Sequence, residues 1–134
     1  MELEKREWFN KVSKGNDGYM MIPYLNGAPV GFVQCAHPRF FPRTKEYAAG
    51  PSTEDAIFLA CLYIIDKENR GKGIGTAMLE SLIAELSKTK IRAVETFARK
   101  NSANNPSGPL KFYLKHNFTT KNDKDDFPLV RREL

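Results

Sequence analysis

Three glycines at alternate positions, Gly71, Gly73 and Gly75, follow an apolar run and precede a run with helical periodicity. Glycine lets the backbone turn sharply and approach a ligand closely, and the first free N–H groups of a helix form a site for anions. Arg70 and Lys72 add two positive charges at the same place. These residue types in this order predict a loop that binds a phosphate or pyrophosphate group.

Three other interpretations of this loop are weaker. A P-loop needs glycine, four further residues and then Gly-Lys-Ser/Thr, a spacing that the chain lacks. The dinucleotide fingerprint would start at Gly73 and has Glu95 about 20 residues on, but Met78 stands where its third glycine belongs. The remaining interpretation, a glycine-rich turn with solvated basic residues, leaves the flanking strand and amphipathic helix unexplained.

The elements around the loop form one β–loop–α–β unit. Residues 57–65 are apolar without alternation, as in a central strand that is covered on both faces. The helix after the loop carries one apolar stripe, made of Ile74, Met78, Leu79, Leu82, Ile83 and Leu86. Residues 91–99 are a second strand, so this unit should be parallel and right-handed.

The elements before this unit are predicted from shorter patterns. Residues 2–13 have the apolar spacing of a short helix. Residues 18–25 and 29–37 are strand-like and are joined by Asn26-Gly27, a strong hairpin signal. Residues 38–55 are rich in proline, glycine and aromatics, too long for a plain turn, and are a candidate active-site lid.

The elements after the unit close the domain. A short helix is expected at 109–116, followed by a strand pair, 118–120 and 127–133, around a polar turn. The predicted fold class is therefore α/β (α+β). We expect a single domain over 1–134, with a mixed, mostly antiparallel sheet, a central parallel strand pair and helices on both faces.

Composition and charge restrict the function. The chain has 134 residues, enough for one domain, and its formal charge of +5 suits a phosphorylated cofactor, an anionic membrane or nucleic acid. Cys35 and Cys61 lie in apolar strand-like runs, where buried thiols are expected rather than a disulfide or metal ligands. No apolar run approaches the roughly 20 residues that span a bilayer, and the N-terminus is charged, so a cytoplasmic location is expected.

Two motifs resemble those of the GCN5-related N-acetyltransferases. The stretch from Arg70 to Gly75 is similar to the family's Arg/Gln-x-x-Gly-x-Gly/Ala loop. The stretch from Leu110 to Phe118 is similar to its Phe-Tyr-x-x-x-Gly-Phe helix and turn, with Asn117 in place of glycine. Asparagine tolerates a left-handed helix end, so the turn can be kept. The resemblance covers residues 17–134.

The resemblance implies a fold, a co-substrate and a reaction. Acetyl-coenzyme A would lie between the strands that end near Ile65 and Arg99, with no metal, and an amine would attack its thioester directly. A backbone N–H would polarise the carbonyl as an oxyanion site. The cofactor-binding residues so implied are Tyr63, Ile64, Ile65, Arg70, Gly71, Lys72, Gly73, Ile74, Gly75, Thr76 and Asn105.

The catalytic residues implied are less complete. Tyr113 corresponds to the tyrosine that protonates the departing thiolate, although a core tyrosine on an amphipathic helix is the other interpretation. Many members keep a glutamate base on the central strand, where this chain has Leu59. Asp55 shares the strand parity of Leu59 and is the candidate base, with His37 as an alternative.

Two further departures shape the expected assembly and the competing function. The family usually has a first strand and helix ahead of this chain's first residues, so the domain is expected to be shortened at its N-terminus and to form a homodimer. The missing base also motivates a second hypothesis, a non-catalytic acyl-coenzyme A binding module. A nucleic-acid-binding domain is disfavoured because the clearest basic cluster is the glycine loop itself. The acceptor pocket would be formed by the hairpin and residues 38–55.

Overall fold

The computed structural model describes residues 8–14, 18–65, 73–100, 109–124 and 126–134. These residues form eight strands and two α-helices. In chain order the elements are β1 (Trp8–Lys14), β2 (Gly18–Leu25), β3 (Ala28–Pro29), β4 (Gly31–Ala36), β5 (Ala56–Ile64), α1 (Ile74–Leu86), β6 (Ala93–Phe97), α2 (Leu110–Lys115), β7 (Thr119–Asn122) and β8 (Leu129–Glu133).

All eight strands belong to one mixed sheet. Its order is β1-β2-β4-β5-β6-β8-β7, and the two-residue β3 pairs with β2 beside this path. The pair β5–β6 is parallel, and every other pair among the described residues is antiparallel. The predicted mixed, mostly antiparallel sheet with a central parallel pair is confirmed, and α1 is the crossover between the parallel strands.

The hairpin between β2 and β4 turns at the predicted dipeptide. Asn26 and Gly27 have φ of 54° and 81°, the positive values that a type I′ turn requires at both central positions. Leu25 then pairs with Ala28 across the turn. The hairpin prediction was correct because the turn is specified by these two residues alone.

The first described element corrects the sequence prediction. Residues 2–13 were expected to form a helix, but Trp8–Lys14 is a strand that pairs antiparallel with β2, from Trp8 opposite Leu25 to Lys14 opposite Tyr19. The exposed edge of β2 offers a full ladder of backbone hydrogen bonds, and aromatic and β-branched residues favour it over a short helix. Residues 2–7 of the expected helix lie outside the described residues.

The two faces of the sheet are covered differently. The larger hydrophobic cluster contains the apolar stripe of α1 together with Leu110, Phe112 and Tyr113 from α2. The opposite face carries a smaller cluster of Ala49, Phe58, Phe97 and Leu129, against which Phe41, Ala60 and Phe127 pack. Two 3-10 turns, Pro38–Phe40 and Pro42–Glu46, lie in the segment that covers this second face. Both α-helices therefore pack on the face with the larger cluster. Where a helix was expected on the other face, the described residues form two short 3-10 turns.

Candidate active site

The parallel strands β5 and β6 separate soon after they begin. Their pairing covers three positions, ending at Phe58 opposite Glu95. Just beyond it, the Thr96 hydroxyl donates to the carbonyl of Leu59 at 2.8 Å. Strand β5 then continues to Ile64 without pairing to β6. This opening, called the gap below, exposes backbone groups in the middle of the sheet.

A β-bulge lies where the gap begins. Between β4 and β5 the register shifts: Gln34 lies opposite Cys61, but Cys35 lies opposite Leu59. Ala60 is therefore an extra residue on β5. An extra residue bends its strand and increases the local twist, so the bulge accounts for the divergence of β5 from β6.

The backbone groups that face the gap follow from the hydrogen bonds of β5. The N–H of Ile65 donates to the carbonyl of Val30 at 2.9 Å, on the β4 side. Successive residues of a strand direct their backbone groups to opposite edges, so Tyr63 also faces β4, while Ile64 and Leu62 face the gap. The resemblance implied that Tyr63, Ile64 and Ile65 contact the cofactor, and of these only Ile64 directs its backbone groups into the gap. Leu62 does so as well, but the sequence analysis did not include it, although the alternation of backbone direction along a strand could have indicated it.

The glycine loop reaches α1 with a glycine in the left-handed region. Gly73 caps the helix with φ of 81°, and its carbonyl accepts the first helical bond from Ala77 at 3.0 Å. The N–H groups of Ile74, Gly75 and Thr76 precede that bond and so lack a partner within the helix. Unpaired N–H groups at a helix N-terminus are suited to bind an anion. The predicted Arg70, Gly71, Lys72 and Asn105 lie outside the described residues.

Helix α2 closes over this end of α1. The ring of Phe112 lies 3.4 Å from the point that a Cβ on Gly75 would occupy, with Ile64 Cδ1 at 3.5 Å. The Thr76 hydroxyl is 3.1 Å from Nε2 of His116. The structure thus brings together the helix N-terminus, the gap-facing end of β5 and α2.

Tyr113 is the most buried polar side chain in this region. Its exposed fraction is 0%, its ring contacts Phe112 and Phe118, and its Oη has no hydrogen-bond partner within the described residues. Burial raises the pKa of Tyr113 well above its ordinary value, and a charge on Cys61 raises it further. Tyr113 packs in the larger cluster with Leu59 and Leu62, which lie on either side of the bulge where the gap begins. An unpaired buried hydroxyl costs about 1–3 kcal/mol, and a ligand atom that accepts a hydrogen bond from it would offset that cost.

The turn after α2 has the conformation that the motif predicts. Asn117 has φ of 67°, in the left-handed region. The carbonyl of Tyr113 accepts hydrogen bonds from the N–H groups of both His116 and Phe118, at 2.9 and 3.1 Å. Asn117 thus fills the position that glycine holds in the family motif, and the turn fixes the end of α2 beneath Tyr113.

Asp55 lies away from the gap. It precedes the first residue of β5, whereas the gap opens after the third paired position. Its carboxylate accepts two hydrogen bonds from Arg131, at 2.9 and 3.0 Å. The hydrogen bonds from Arg131 hold the pKa of Asp55 below its ordinary value. Position and pKa therefore both disfavour Asp55 as the general base: it shares the parity of Leu59, but it lies at the other end of the strand.

The sequence analysis considered Glu95 only as the acidic residue of the disfavoured dinucleotide fingerprint, although it is the most completely bonded carboxylate described. Glu95 is fully buried on β6. Its oxygens accept hydrogen bonds from Ser52, the backbone and hydroxyl of Thr53, Lys121 and Arg131, at 2.6 to 3.0 Å. Burial opposes its ionisation, but the backbone bond from Thr53 and the bonds from Arg131 and Lys121 outweigh it, so the pKa of Glu95 is lowered.

The Glu95 network and His37 both have structural roles. Through Ser52 and Thr53, Glu95 anchors the end of the 38–55 segment to the sheet. His37 accepts the N–H of Arg39 at 3.1 Å and so caps the first 3-10 turn. The sequence did contain a signal for this network: Glu95 is an acidic residue within the otherwise uncharged strand 93–97, and a buried carboxylate needs hydrogen-bond and charge partners.

Across the described ranges, no α-helix has both the length and the apolar character to cross a membrane. Within the same residues, no three histidine, cysteine or acidic side chains come together in a way that could hold a metal ion.

Comparison with known proteins identifies similar folds. A model of the acetyltransferase (GNAT) family matches residues 1–118. No curated protein sequence matches the chain. The PaiA N-acetyltransferase of Thermoplasma acidophilum, in complex with coenzyme A, is 15% identical with a TM-score of 0.65, over 88% of this chain and 62% of that one.

Two further solved structures have the same fold. An acetyltransferase of Thermus thermophilus is 18% identical with a TM-score of 0.64, over 88% of this chain and 65% of that one. A GNAT family acetyltransferase of Elizabethkingia anophelis with acetyl-CoA bound is 10% identical with a TM-score of 0.67, over 97% of this chain and 100% of that one. The chain thus spans less than two thirds of the first two proteins and the full length of the third.

Proposed function

Because the chain belongs to the acetyltransferase (GNAT) family, as its two motifs predicted, we propose that it is an N-acetyltransferase whose catalytic domain is residues 1–134. It moves the acetyl group of acetyl-coenzyme A to an amine. The observation that carries this proposal is the buried, unpartnered Oη of Tyr113 beside the gap, among the described residues. A hydroxyl in that position is suited to the sulfur of a bound thioester.

Two parts of the site would bind the cofactor: the N-terminus of α1 and the gap-facing backbone of β5. Its pyrophosphate binds the N-terminus of α1, where the N–H groups of Ile74, Gly75 and Thr76 lack helical partners. Its pantetheine arm runs along β5 and hydrogen-bonds the backbone of Leu62 and Ile64 in the gap. Arg70 and Lys72 supply positive charge to the same phosphates.

The reaction is direct attack of an amine on the thioester carbonyl. The C–N bond forms as the C–S bond breaks, and a backbone N–H in the gap stabilises the developing oxyanion. The thiolate takes its proton from Tyr113, which solvent restores, and the proton of the amine passes to solvent. A tyrosine is already protonated at neutral pH at its ordinary pKa, and burial raises the pKa of Tyr113 further, so the hydroxyl can donate to the thiolate only when it is held close to the sulfur.

A non-catalytic acyl-coenzyme A binding module is the second candidate. It is favoured by the pairing of the candidate base: Asp55 is held in an ion pair with Arg131, which also pairs with Glu95. Such a module binds acetyl-coenzyme A but transfers nothing.

One experiment separates the two candidates. Acetyl-coenzyme A binding is measured by calorimetry, and release of free coenzyme A is then followed with a panel of amines. An enzyme releases coenzyme A in step with N-acetylated product. A binding module retains the calorimetric signal and shows no amine-dependent release, and a chain that does not bind acetyl-coenzyme A contradicts both.

We further propose a cytoplasmic homodimer, with no nucleic-acid partner. Strand β1 is at the edge of the sheet, and within the described ranges it pairs only with β2. An unpaired strand edge is a template for a second copy of the same chain. Sedimentation at high micromolar concentration tests this assembly, and a monomer there would contradict it.

A further inference from the structure

The described residues contain two buried side-chain polar atoms without a hydrogen-bond partner, Tyr113 Oη and Arg99 Nε. Arg99 follows β6, and its carbonyl accepts the N–H of Leu110 at 3.0 Å, at the first residue of α2. Both atoms therefore belong to the end of the sheet where β5 and β6 separate. Tyr113 is assigned to the leaving thiolate above, and Arg99 has no role in that step.

Arg99 and Tyr113 lie on opposite faces of the sheet. Tyr113 packs in the larger cluster with α1. The guanidinium of Arg99 lies over the ring of Phe127, 5.5 Å from its centroid, and Phe127 packs against the second cluster. The cofactor approaches from the α1 side, because its phosphates bind the N-terminus of that helix. The second face is consequently the side from which an acceptor reaches the thioester.

The other buried or half-buried arginines near the sheet are paired. Arg131 contacts three carboxylates, and Arg132 donates to Glu80 and to the carbonyl of His116. For Arg99, no carboxylate among the described residues lies within ion-pair distance. A guanidinium is a rigid fork of donors that matches carboxylate and phosphate oxygens, so an oxyanion from a ligand is the partner that fits it.

An aromatic wall stands beside Arg99. The ring of Tyr47 stacks on Phe97 at 4.1 Å and meets Phe127 edge-on at 5.8 Å. Tyr47 is 40% exposed, so this wall is open to solvent. Phe97 is on β6, two residues beyond the last position paired with β5, so the wall connects the edge of the gap to the guanidinium.

We propose that the acceptor amine carries an oxyanion group, a carboxylate or a phosphate, which Arg99 binds on the second face while the amine reaches into the gap. This inference rests on the proposed function and names its substrate class. Arg99 fixes the distance between the charged group and the amine, and the Tyr47–Phe127 wall contacts the part of the acceptor between them. Neutral amines lack that anchor.

The test uses pairs of amines that differ in one anionic group. Phenethylamine is compared with phenylalanine, putrescine with ornithine, and ethanolamine with phosphoethanolamine. The first two pairs report on carboxylate and the third on phosphate. In the parent protein, kcat/KM should be at least about tenfold higher for the anionic amine than for its neutral counterpart, because a hydrogen bond to a charged group is strong. This preference is expected in the carboxylate pairs if Arg99 binds a carboxylate and in the phosphate pair if it binds a phosphate.

The variants assign the preference to Arg99. In Arg99→Gln the preference should fall to within about twofold, while Arg99→Lys should retain part of it, since lysine keeps the charge without the fork. Arg92→Gln is the matched control, because Arg92 is exposed at the opposite end of β6, and its preference should equal that of the parent. Melting temperature and coenzyme A affinity establish that each variant is folded.

A binding readout separates this inference from the proposed function. Saturation-transfer NMR compares N-acetylphenylalanine with N-acetylphenethylamine in the presence of coenzyme A, which requires no turnover. Binding of the carboxylate compound that is lost in Arg99→Gln supports the anion site even where no acetyl transfer occurs. Transfer with no preference in any pair, or a preference that survives in Arg99→Gln, overturns the proposal and leaves the transferase activity standing.

Discussion

Nη1 of Arg131 lies 2.9 Å from a carboxylate oxygen of Asp55 and 2.9 Å from a carboxylate oxygen of Glu95. One guanidinium on β8 thus joins the loop before β5 to the middle of β6. Because Glu95 also accepts hydrogen bonds from Ser52 and Thr53, this ion pair holds the segment over the second face in register with the strands that border the gap.

Replacement of Glu95 should destabilise the protein. Glu95→Gln keeps the volume but leaves the buried guanidinium of Arg131 and the ammonium of Lys121 without their shared charge. We expect a loss of about 1–3 kcal/mol in the free energy of unfolding, measured by urea denaturation. Glu133→Gln also removes a partner of Arg131, but its side chain is 71% exposed. That variant should stay within about 0.5 kcal/mol of the parent, and equal losses in both would contradict the argument.

The same carboxylate predicts a pH dependence. The pKa of Glu95 is lowered in the folded protein, so its contribution to stability is present above the unfolded pKa of about 4.3 and is lost as pH falls through the folded value. The parent should therefore lose stability more steeply than Glu95→Gln below about pH 4. Parallel curves of unfolding free energy against pH for the two proteins would show that Glu95 is not the titrating group.

Gly73 should be needed for cofactor binding. Its φ of 81° is costly for any other residue, and a side chain there would meet the phosphates that we propose the N-terminus of α1 binds. Gly73→Val should weaken coenzyme A binding by at least about tenfold, measured by calorimetry. Gly27→Val is the matched control, since Gly27 also has φ of 81° but lies in the hairpin turn. It should lose stability and keep its affinity; unchanged affinity in Gly73→Val would remove the phosphate site.

Tyr113→Phe tests the proposed acid. The ring packing stays and only the unpartnered hydroxyl is removed, so the melting temperature should be no lower than that of the parent and coenzyme A affinity should match it. General acid catalysis contributes about 10²–10⁴-fold, and kcat should fall by that order with the cofactor KM little changed. Tyr24→Phe, in the hairpin, is the control for loss of a phenol. A kcat within about twofold of the parent, when chemistry limits the rate, would exclude Tyr113 as the acid.

Features set by a few adjacent residues were predictable from the sequence. Asn26-Gly27 and Asn117 have the positive φ values that their motifs require, because backbone conformation at these positions depends on the residue itself. The parallel pair around the glycine loop was predictable for a similar reason: an apolar strand, a glycine turn and an amphipathic helix in succession permit few topologies.

Features set by distant partners were not predictable in the same way. Residues 8–14 form a strand because they pair with the edge of β2. The spacing of apolar residues within 8–14 carries no information about that neighbouring strand. Asp55 was selected by parity with Leu59, but parity does not say at which end of the strand a side chain lies. The role of Glu95 depends on Lys121 and Arg131, which follow it by 26 and 36 positions.

The gap depends on the number of residues in β5, which includes the extra residue Ala60, and not on the chemistry of any one side chain. Before it, Ile57 and Leu59 face the larger cluster, and after it Leu62 does, so the bulge reverses which alternate positions are buried. Deleting one residue there would restore a regular ladder between β4 and β5 and turn the earlier side chains to the wrong face. The opening between β5 and β6 should therefore be sensitive to an insertion or a deletion in β5 and tolerant of most substitutions there.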